Sequence, residues 1–354
     1  MTEPVIGRAG PGSGPGGAPT AIALSPILSA RYRARDLERI RAAAPGARIV
    51  TVSAEGLADD SLDDVEVMLR GWLSSDAFDR ILARAPRLSW VHSATSGVER
   101  ALTPAARERG IVVTNARGVF SRPIAEYVLM MILAVSRRLP QLLELQRERT
   151  WQPLEGAELR DVTVGIVGLG SIGRAVGALA TAFGCRVVAV RRRGEAGTTA
   201  SGPDDEGRQL GELMLARVGG PETLPELLAE SDFIVLAAPL TPETEGMINA
   251  ETLAMVKPGA WLINVARGRL VDERALLRAL VDGDLGGAVL DTFRDEPLVA
   301  TSPFYDMPNV IVTPHTAWSS GRVLDRSVEL FCDNLRRFAA GEPLLNVVDP
   351  SAGY

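Results

Sequence analysis

One hexapeptide restricts this chain more than any other stretch: Gly168-Leu169-Gly170-Ser171-Ile172-Gly173. It follows the β-rich run Val162-Thr163-Val164-Gly165-Ile166-Val167 and opens a segment whose Ile172, Val176, Leu179 and Phe183 recur at helical spacing. Gly184 can end that helix before a second β-rich run, Val187-Val188-Ala189-Val190. The glycine pattern alone is a weak signal. Strand, glycine turn, helix and strand in this order are the context that a dinucleotide fingerprint needs. Gly168 permits the tight turn, Gly170 lets a pyrophosphate approach the backbone, and Gly173 lets the helix pack close on the strand. The N–H groups at the helix start, around Ser171 and Ile172, suit an anion.

The alternation extends to both sides. Ahead of the fingerprint, Ala21–Leu24, Ile49–Val52, Val65–Leu69, Leu88–His92 and Ile111–Thr114 read as strands, with Asp36–Ala43 and Ser75–Ala85 as helices. From the fingerprint onward the strands are Val162–Val167, Arg186–Val190, Phe233–Ala237, Trp261–Val265, Gly287–Leu290 and Val310–Val312. Strands separated by helix-length segments argue parallel, doubly wound sheets. Pro123 suits the first turn of a long helix to about Arg149, with Ile124, Val128, Met131 and Val135 on one face. Gly194–Gly220 reads as an enlarged polar loop, Gly321–Ala340 as a terminal helix, and Pro343–Asp349 as an extended tail.

Composition removes several classes of function. A net charge of −6 gives no reason to expect a nucleic-acid partner. Two cysteines, Cys185 and Cys332, cannot build a disulfide framework or a CxxC-type metal site, and they fit a reducing compartment. The glycine- and proline-rich residues 1–20 have no apolar core segment, so they read as a flexible leader and not as a signal peptide. The apolar run Tyr127–Val135 is too short to span a bilayer. A cytoplasmic protein without a membrane or metal partner is expected.

Three polar residues follow strands in the second half: Arg267 after Trp261–Ala266, Asp291 after Gly287–Leu290, and His315 after Val310–Pro314. In an open parallel sheet, ligands bind beyond the carboxyl ends of the strands. Glu296 lies close enough after Asp291 to reach the same cleft. Reduction of a carbonyl by hydride transfer asks for these parts. An arginine can hold a substrate carboxylate and polarise the carbonyl, a histidine can protonate the developing alkoxide, and a carboxylate can orient the imidazole. His92, the other histidine of the chain, reads as a packed strand residue.

These stretches, together with Pro239-Leu240-Thr241-Pro242-Glu243-Thr244, Asn264-Val265-Ala266-Arg267-Gly268, Leu290-Asp291-Thr292-Phe293 through Glu296-Pro297, and Thr313-Pro314-His315, resemble the D-isomer-specific 2-hydroxyacid dehydrogenase family. The resemblance runs from about Ala21 and is of the glyoxylate/hydroxypyruvate reductase kind. It implies Arg267, Glu296 and His315 as the catalytic set and Asp291 at the carboxamide end of the cofactor. It extends the cofactor-binding set to Pro239, Thr244, Val265 and Ala266, beside Gly168, Gly170, Ser171, Ile172 and Gly173. Ser96 and Gly97 match the loop whose N–H groups bind the substrate carboxylate, and Trp72 and Trp318 are candidate walls of the substrate pocket. The implied architecture is two doubly wound α/β domains, a Rossmann dinucleotide-binding domain inserted in a flavodoxin-like substrate domain. Its expected parts are a leader over 1–20, substrate-binding over 21–122, dinucleotide-binding over 123–316, and a return to the first domain over 317–354. A homodimer acting on a small 2-keto or 2-hydroxy acid is implied.

The chain departs from the commonest family pattern after Val190. An acidic residue usually stands there for the ribose hydroxyls, whereas here the run is Arg191-Arg192-Arg193, with no carboxylate until Glu195. NADP is therefore the expected cofactor, with NAD as the alternative. Two other functions are compatible with the motifs: a cofactor-sensing, corepressor-like binding protein, and a formate- or phosphite-type dehydrogenase. Glu296 counts against the formate option, because formate dehydrogenases of this fold resemble a histidine–glutamine pairing.

Overall fold

The computed structural model describes residues 16–26, 32–192 and 213–350. The chain divides into two compact units, Met1–Val119 with Gly321–Tyr354, and Phe120–Ser320. The second unit is thus inserted in the first. Among the described residues no helix is long and apolar enough to cross a membrane.

The first unit holds a parallel five-stranded sheet in the order β2-β1-β3-β4-β5. Its strands are β1 (Ala21–Leu24), β2 (Arg48–Thr51), β3 (Val65–Arg70), β4 (Trp90–Ser93) and β5 (Val112–Asn115). This is the flavodoxin-like order. The inner strand β1 is a continuous apolar run, Ala21-Ile22-Ala23-Leu24, buried throughout because helices cover both faces of a parallel sheet. Helix Ser75–Arg84 starts where Ser74 Oγ accepts the Ala77 N–H, and it buries Ala77, Phe78, Ile81 and Leu82 on one face. Helix Val323–Ala340 buries Val328, Phe331, Leu335 and Phe338 on the other face. There Trp90 lies 5.4 Å from Phe338 and 5.6 Å from Phe331, ring centre to ring centre. The tail then runs along β5, with Val347 bridging Thr114 and the Val348 N–H donating to Val113 O. Residues 16–20 are also tied down: the Gly17 N–H donates to Ala339 O and the Thr20 N–H to Glu66 Oε2. The rest of the expected leader, residues 1–15, lies outside the described residues.

His92 on β4 is fully buried against Phe331 and Trp90, with Nδ1 2.8 Å from Thr114 Oγ1 and no partner at Nε2 among the described residues. Burial pushes its imidazole down to about 3, from an ordinary value of 6.5. A folded-state value below the unfolded one means that the unfolded chain binds the extra proton. The contribution to stability is therefore complete above pH 6.5 and is lost as pH falls from there toward 3. Urea unfolding between pH 7 and 4.5 should show this loss, and His92→Phe should reduce it. Equal acid sensitivity of the two proteins would contradict this role.

The second unit carries a parallel seven-stranded sheet in the order β12-β11-β10-β9-β6-β7-β8. Its strands are β6 (Thr163–Val167), β7 (Arg186–Val190), β8 (Arg217–Gly219), β9 (Phe233–Leu236), β10 (Trp261–Asn264), β11 (Gly287–Leu290) and β12 (Val310–Val312). The chain winds from β6 out to β8, then returns to β9 on the other side of β6. The strand order reverses there, at the crevice where doubly wound sheets take their ligands.

Two expectations need correction. The helix read as Pro123–Arg149 is two helices, Ser121–Ser136 and Leu139–Arg147. Arg138 between them takes a left-handed conformation, φ 57°, and Pro140 in the first turn of the second helix cannot donate back to the preceding turn. The apolar period continued across the break, so periodicity alone did not reveal it. The second correction concerns Gly194–Gly220, which is not loop throughout. Arg217–Gly219 pairs with Val188–Val190 as the edge strand β8, while residues 194–212 lie outside the described residues. A three-residue edge strand with half-buried side chains leaves no hydrophobic alternation to read.

Candidate active site

The glycine loop follows β6 and opens helix Ser171–Ala182. A side chain on Gly168, φ +103°, would meet the Ala238 backbone nitrogen at 2.5 Å, and one on Gly173 would meet Gly168 O at 2.1 Å. Both are closed by protein. Gly170 is different: a Cβ there would have no described atom within 4 Å. Gly170 is also the N-cap, and among the described residues no side chain caps the first turn around Ser171 and Ile172. Open space over orphan N–H groups at a helix start fits the pyrophosphate of a dinucleotide.

β10, β11 and β12 are neighbours, parallel and in register, so their carboxyl ends open on the same side of the sheet. Asn264, buried at the end of β10, folds the turn that carries Arg267. Its Oδ1 accepts the Ala266 N–H and its Nδ2 donates to Arg267 O at 3.0 Å. The Arg267 guanidinium donates to Ala266 O at 2.8 Å. The turn lies directly against the segment after β11, since a Cβ on Gly268 would fall 1.9 Å from the Phe293 carbonyl carbon.

That segment carries Glu296, whose two oxygens have different partners. Oε1 accepts the Phe293 N–H at 3.0 Å, and Oε2 accepts from His315 Nδ1 at 2.8 Å. Burial alone would raise this carboxyl. The hydrogen bonds from His315 and the Phe293 N–H, with the charges of His315 and Arg267, outweigh burial and hold it below the ordinary carboxylate range. Glu296 is therefore an anion at neutral pH, beside an imidazole and within the field of a guanidinium.

His315 has φ 48°, a left-handed conformation uncommon for a residue with a Cβ. Bonds on both sides hold it there. Its N–H donates to Thr313 O at 3.0 Å, and Trp318 Nε1 donates to His315 O at 2.7 Å. Asp291, 1% exposed at the end of β11, holds the rest of the loop. Its Oδ1 accepts from Thr313 Oγ1 at 2.6 Å and from the Thr316 N–H at 2.8 Å, and its Oδ2 accepts the Ala317 N–H at 3.0 Å. The sequence offered Asp291 as a strand-end residue, but nothing in it disclosed these donors.

The remaining candidates divide between the units. Val265 and Ala266 are buried immediately after β10. In the loop after β9, Thr244 Oγ1 donates to Pro239 O at 2.7 Å and accepts the Thr241 N–H at 2.8 Å. Arg191 follows β7, its N–H donating to Gly219 O, and Arg192 comes next. The sequence showed no carboxylate near these arginines before Glu195, which with Arg193 lies outside the described residues. In space one is close: the charge of Arg192 is felt at Glu243, which Thr241 first and then Arg192 hold below the ordinary range. Ser96 and Gly97 belong to the first unit, in the half-buried loop after β4, where Thr95 Oγ1 donates to Gly97 O and Asn115 Nδ2 to Ser96 O. Trp72 is an exposed first-unit residue after β3, whereas Trp318 belongs to the second unit, on the His315 loop.

Comparison with known proteins places this geometry. A family model described as the NAD-binding domain of D-isomer specific 2-hydroxyacid dehydrogenases matches residues 129–317. The D-3-phosphoglycerate dehydrogenase of Mycobacterium tuberculosis is 37% identical over 81% of this chain, which spans only 51% of that protein's length. A glyoxylate reductase of Korarchaeum cryptofilum is 34% identical over 78% of this chain and 81% of its own. A D-isomer specific 2-hydroxyacid dehydrogenase from Xanthobacter autotrophicus, solved with NADPH and MES, superposes with a TM-score of 0.79 at 34% identity, covering 95% of this chain and 100% of the other. The NADPH-dependent glyoxylate/hydroxypyruvate reductase of Sinorhizobium meliloti, with NADP and sulfate, gives 0.77 at 28% identity over 95% and 100%. On sequence and fold together, this chain belongs to the D-isomer specific 2-hydroxyacid dehydrogenase family.

Proposed function

We propose that the protein is a reductase of small 2-keto acids of the glyoxylate and hydroxypyruvate class, with His315 as the general acid. The observation that carries this reading is the 2.8 Å bond between His315 and Glu296, at strand ends adjoining that of Arg267. A bound nicotinamide dinucleotide supplies the hydride. Arg267 grips the substrate carboxylate and polarises the carbonyl, a planar, two-pronged contact that lysine does not reproduce. His315 donates its proton to the developing alkoxide, and Glu296 orients the ring. Ser96 and Gly97 add backbone N–H groups for the carboxylate, and Trp72 and Trp318 bound the substrate. Asp291 retains one lone-pair site at Oδ2 for the carboxamide end of the cofactor, after its three bonds to the loop. The glyoxylate reductase names of two relatives support the substrate class. Oxidation of NADPH and NADH with a panel of 2-keto acids tests it, and a protein that binds cofactor but turns over none of them would fit a sensor instead.

The active unit on this reading is a homodimer of the cytoplasm. Helix Leu139–Arg147 buries none of its residues and exposes Leu139, Leu142 and Leu143, with Trp151 fully exposed just beyond. A second copy would cover this apolar surface. Both cysteines are buried thiols, compatible with a reducing compartment.

NADP is the proposed cofactor. A phosphate on the ribose would meet Arg191 and Arg192, and a charge-assisted contact contributes about 1.5–3 kcal/mol, a preference of roughly tenfold to a hundredfold. Two structural relatives were solved with NADPH or NADP. Arg191→Asp with Arg192→Ser should reverse the ratio of kcat/KM for NADPH over NADH. Glu243→Gln should widen it, by removing the nearby carboxylate that opposes the phosphate. Equal efficiency with both cofactors in the unmodified protein would overturn the preference and leave the reaction standing.

A further inference from the structure

Tyr127 lies in helix Ser121–Ser136, far in sequence from every residue given a part in the chemistry. Its phenol oxygen is 2.6 Å from Thr313 Oγ1. Thr313 has a single hydroxyl proton and donates it to Asp291 Oδ1, also at 2.6 Å. Thr313 can only accept in the other bond, so the Tyr127 O–H is the donor there. Burial pushes this phenol up to about 12, and the donor is kept throughout the working range. The chain of bonds has one direction: Tyr127 to Thr313 to Asp291.

Asp291 carries the chain onward to both sides of His315. It accepts from Thr313 two residues before the imidazole, and from the Thr316 and Ala317 N–H groups just after it. The loop between them contains the left-handed His315, at φ 48°. Such a conformation persists only where its surroundings over-determine it. We propose that Tyr127 is a positioning residue for His315, anchoring the loop that bears the imidazole to helix Ser121–Ser136 through Thr313 and Asp291. The inference rests on the assignment of His315 as the general acid. A small displacement of a proton donor is enough to lower turnover, because the transfer needs hydrogen-bond reach.

The test is a double-mutant cycle. Tyr127→Phe removes one hydroxyl and should lower kcat about three- to tenfold, with the dissociation constant for NADPH unchanged. Thr313→Val breaks both links and should cost more, while Thr313→Ser, which keeps the hydroxyl, should stay near the unmodified rate. Adding Tyr127→Phe to Thr313→Val should cost nothing further, because the chain is already cut. An independent readout uses the cofactor-free protein. With two histidines in the chain, the imidazole Cε1–H resonances can be followed one by one. Tyr127→Phe should move that of His315 and leave that of His92 in place. Multiplicative rate effects in the double variant would overturn the proposal, as would a fall in melting temperature with kcat and the His315 resonance unchanged. A His315→Ala variant that kept its turnover would instead remove the general-acid assignment, a different failure.

Discussion

Replacing His315 with alanine will lower turnover by roughly 10²–10⁴-fold, the usual contribution of a positioned proton donor. Binding of the dinucleotide will be nearly unchanged, because its proposed cradle is the glycine loop after β6 and not the loop after β12. The imidazole is half exposed, so its removal opens no cavity in the core and the variant remains folded. Glu296→Gln will lower turnover by about tenfold or more. Burial opposes the charge of Glu296, but the hydrogen bonds from His315 and the Phe293 N–H, with the neighbouring charges, hold it ionised. A neutral amide is a weaker partner for the ring than that anion, so the proton donor is held less firmly within reach of the substrate. Steady-state rates with glyoxylate or hydroxypyruvate check both statements. A His315→Ala protein with near-normal turnover would show that another group supplies the proton.

Two glycines three residues apart, Gly170 and Gly173, will behave in opposite ways. Gly173→Ala will destabilise the second unit by about 3 kcal/mol and abolish cofactor binding. Its Cβ would sit 2.1 Å from Gly168 O, a backbone atom of the turn itself, so the helix would have to lift off the strand. Gly170→Ala will cost at most about 1 kcal/mol, the difference between glycine and alanine at a helix N-cap, since a Cβ there meets no described atom within 4 Å. It will still weaken NADPH binding by about tenfold or more, because the methyl group occupies the space proposed for the pyrophosphate. Urea unfolding and cofactor titration by fluorescence separate the two. A Gly170→Ala protein that binds NADPH as tightly as the unmodified one would place the cofactor elsewhere.

Much of the fold is written locally. β-branched runs, helical periods and glycines determine where strands and helices form, because each signal is satisfied within a few residues. The strand-end positions of Arg267, Asp291 and His315 were legible for the same reason, and so were the tight turn at Gly168 and the close packing at Gly173. The sequence did not reveal where the period stops mattering. Arg138 breaks an apolar stripe that continues on paper, and β8 has too few residues to show alternation.

The arrangement across strands was decided elsewhere. Sheet order puts β10, β11 and β12 side by side, and only then can one carboxylate, Glu296, accept from Phe293 on one oxygen and His315 on the other. Glu243 feels the charge of Arg192 from the loop after β9, a proximity that no count along the chain discloses. Asp291 acquires its donors, and Thr313 its bond from Tyr127, through pairs 22 and 186 residues apart. By itself the sequence determined the elements and the chemistry available at their ends, since backbone geometry and turn formation depend on near neighbours. Only the tertiary structure decided which groups share a hydrogen bond, because that depends on strand pairing and packing between residues distant in the chain.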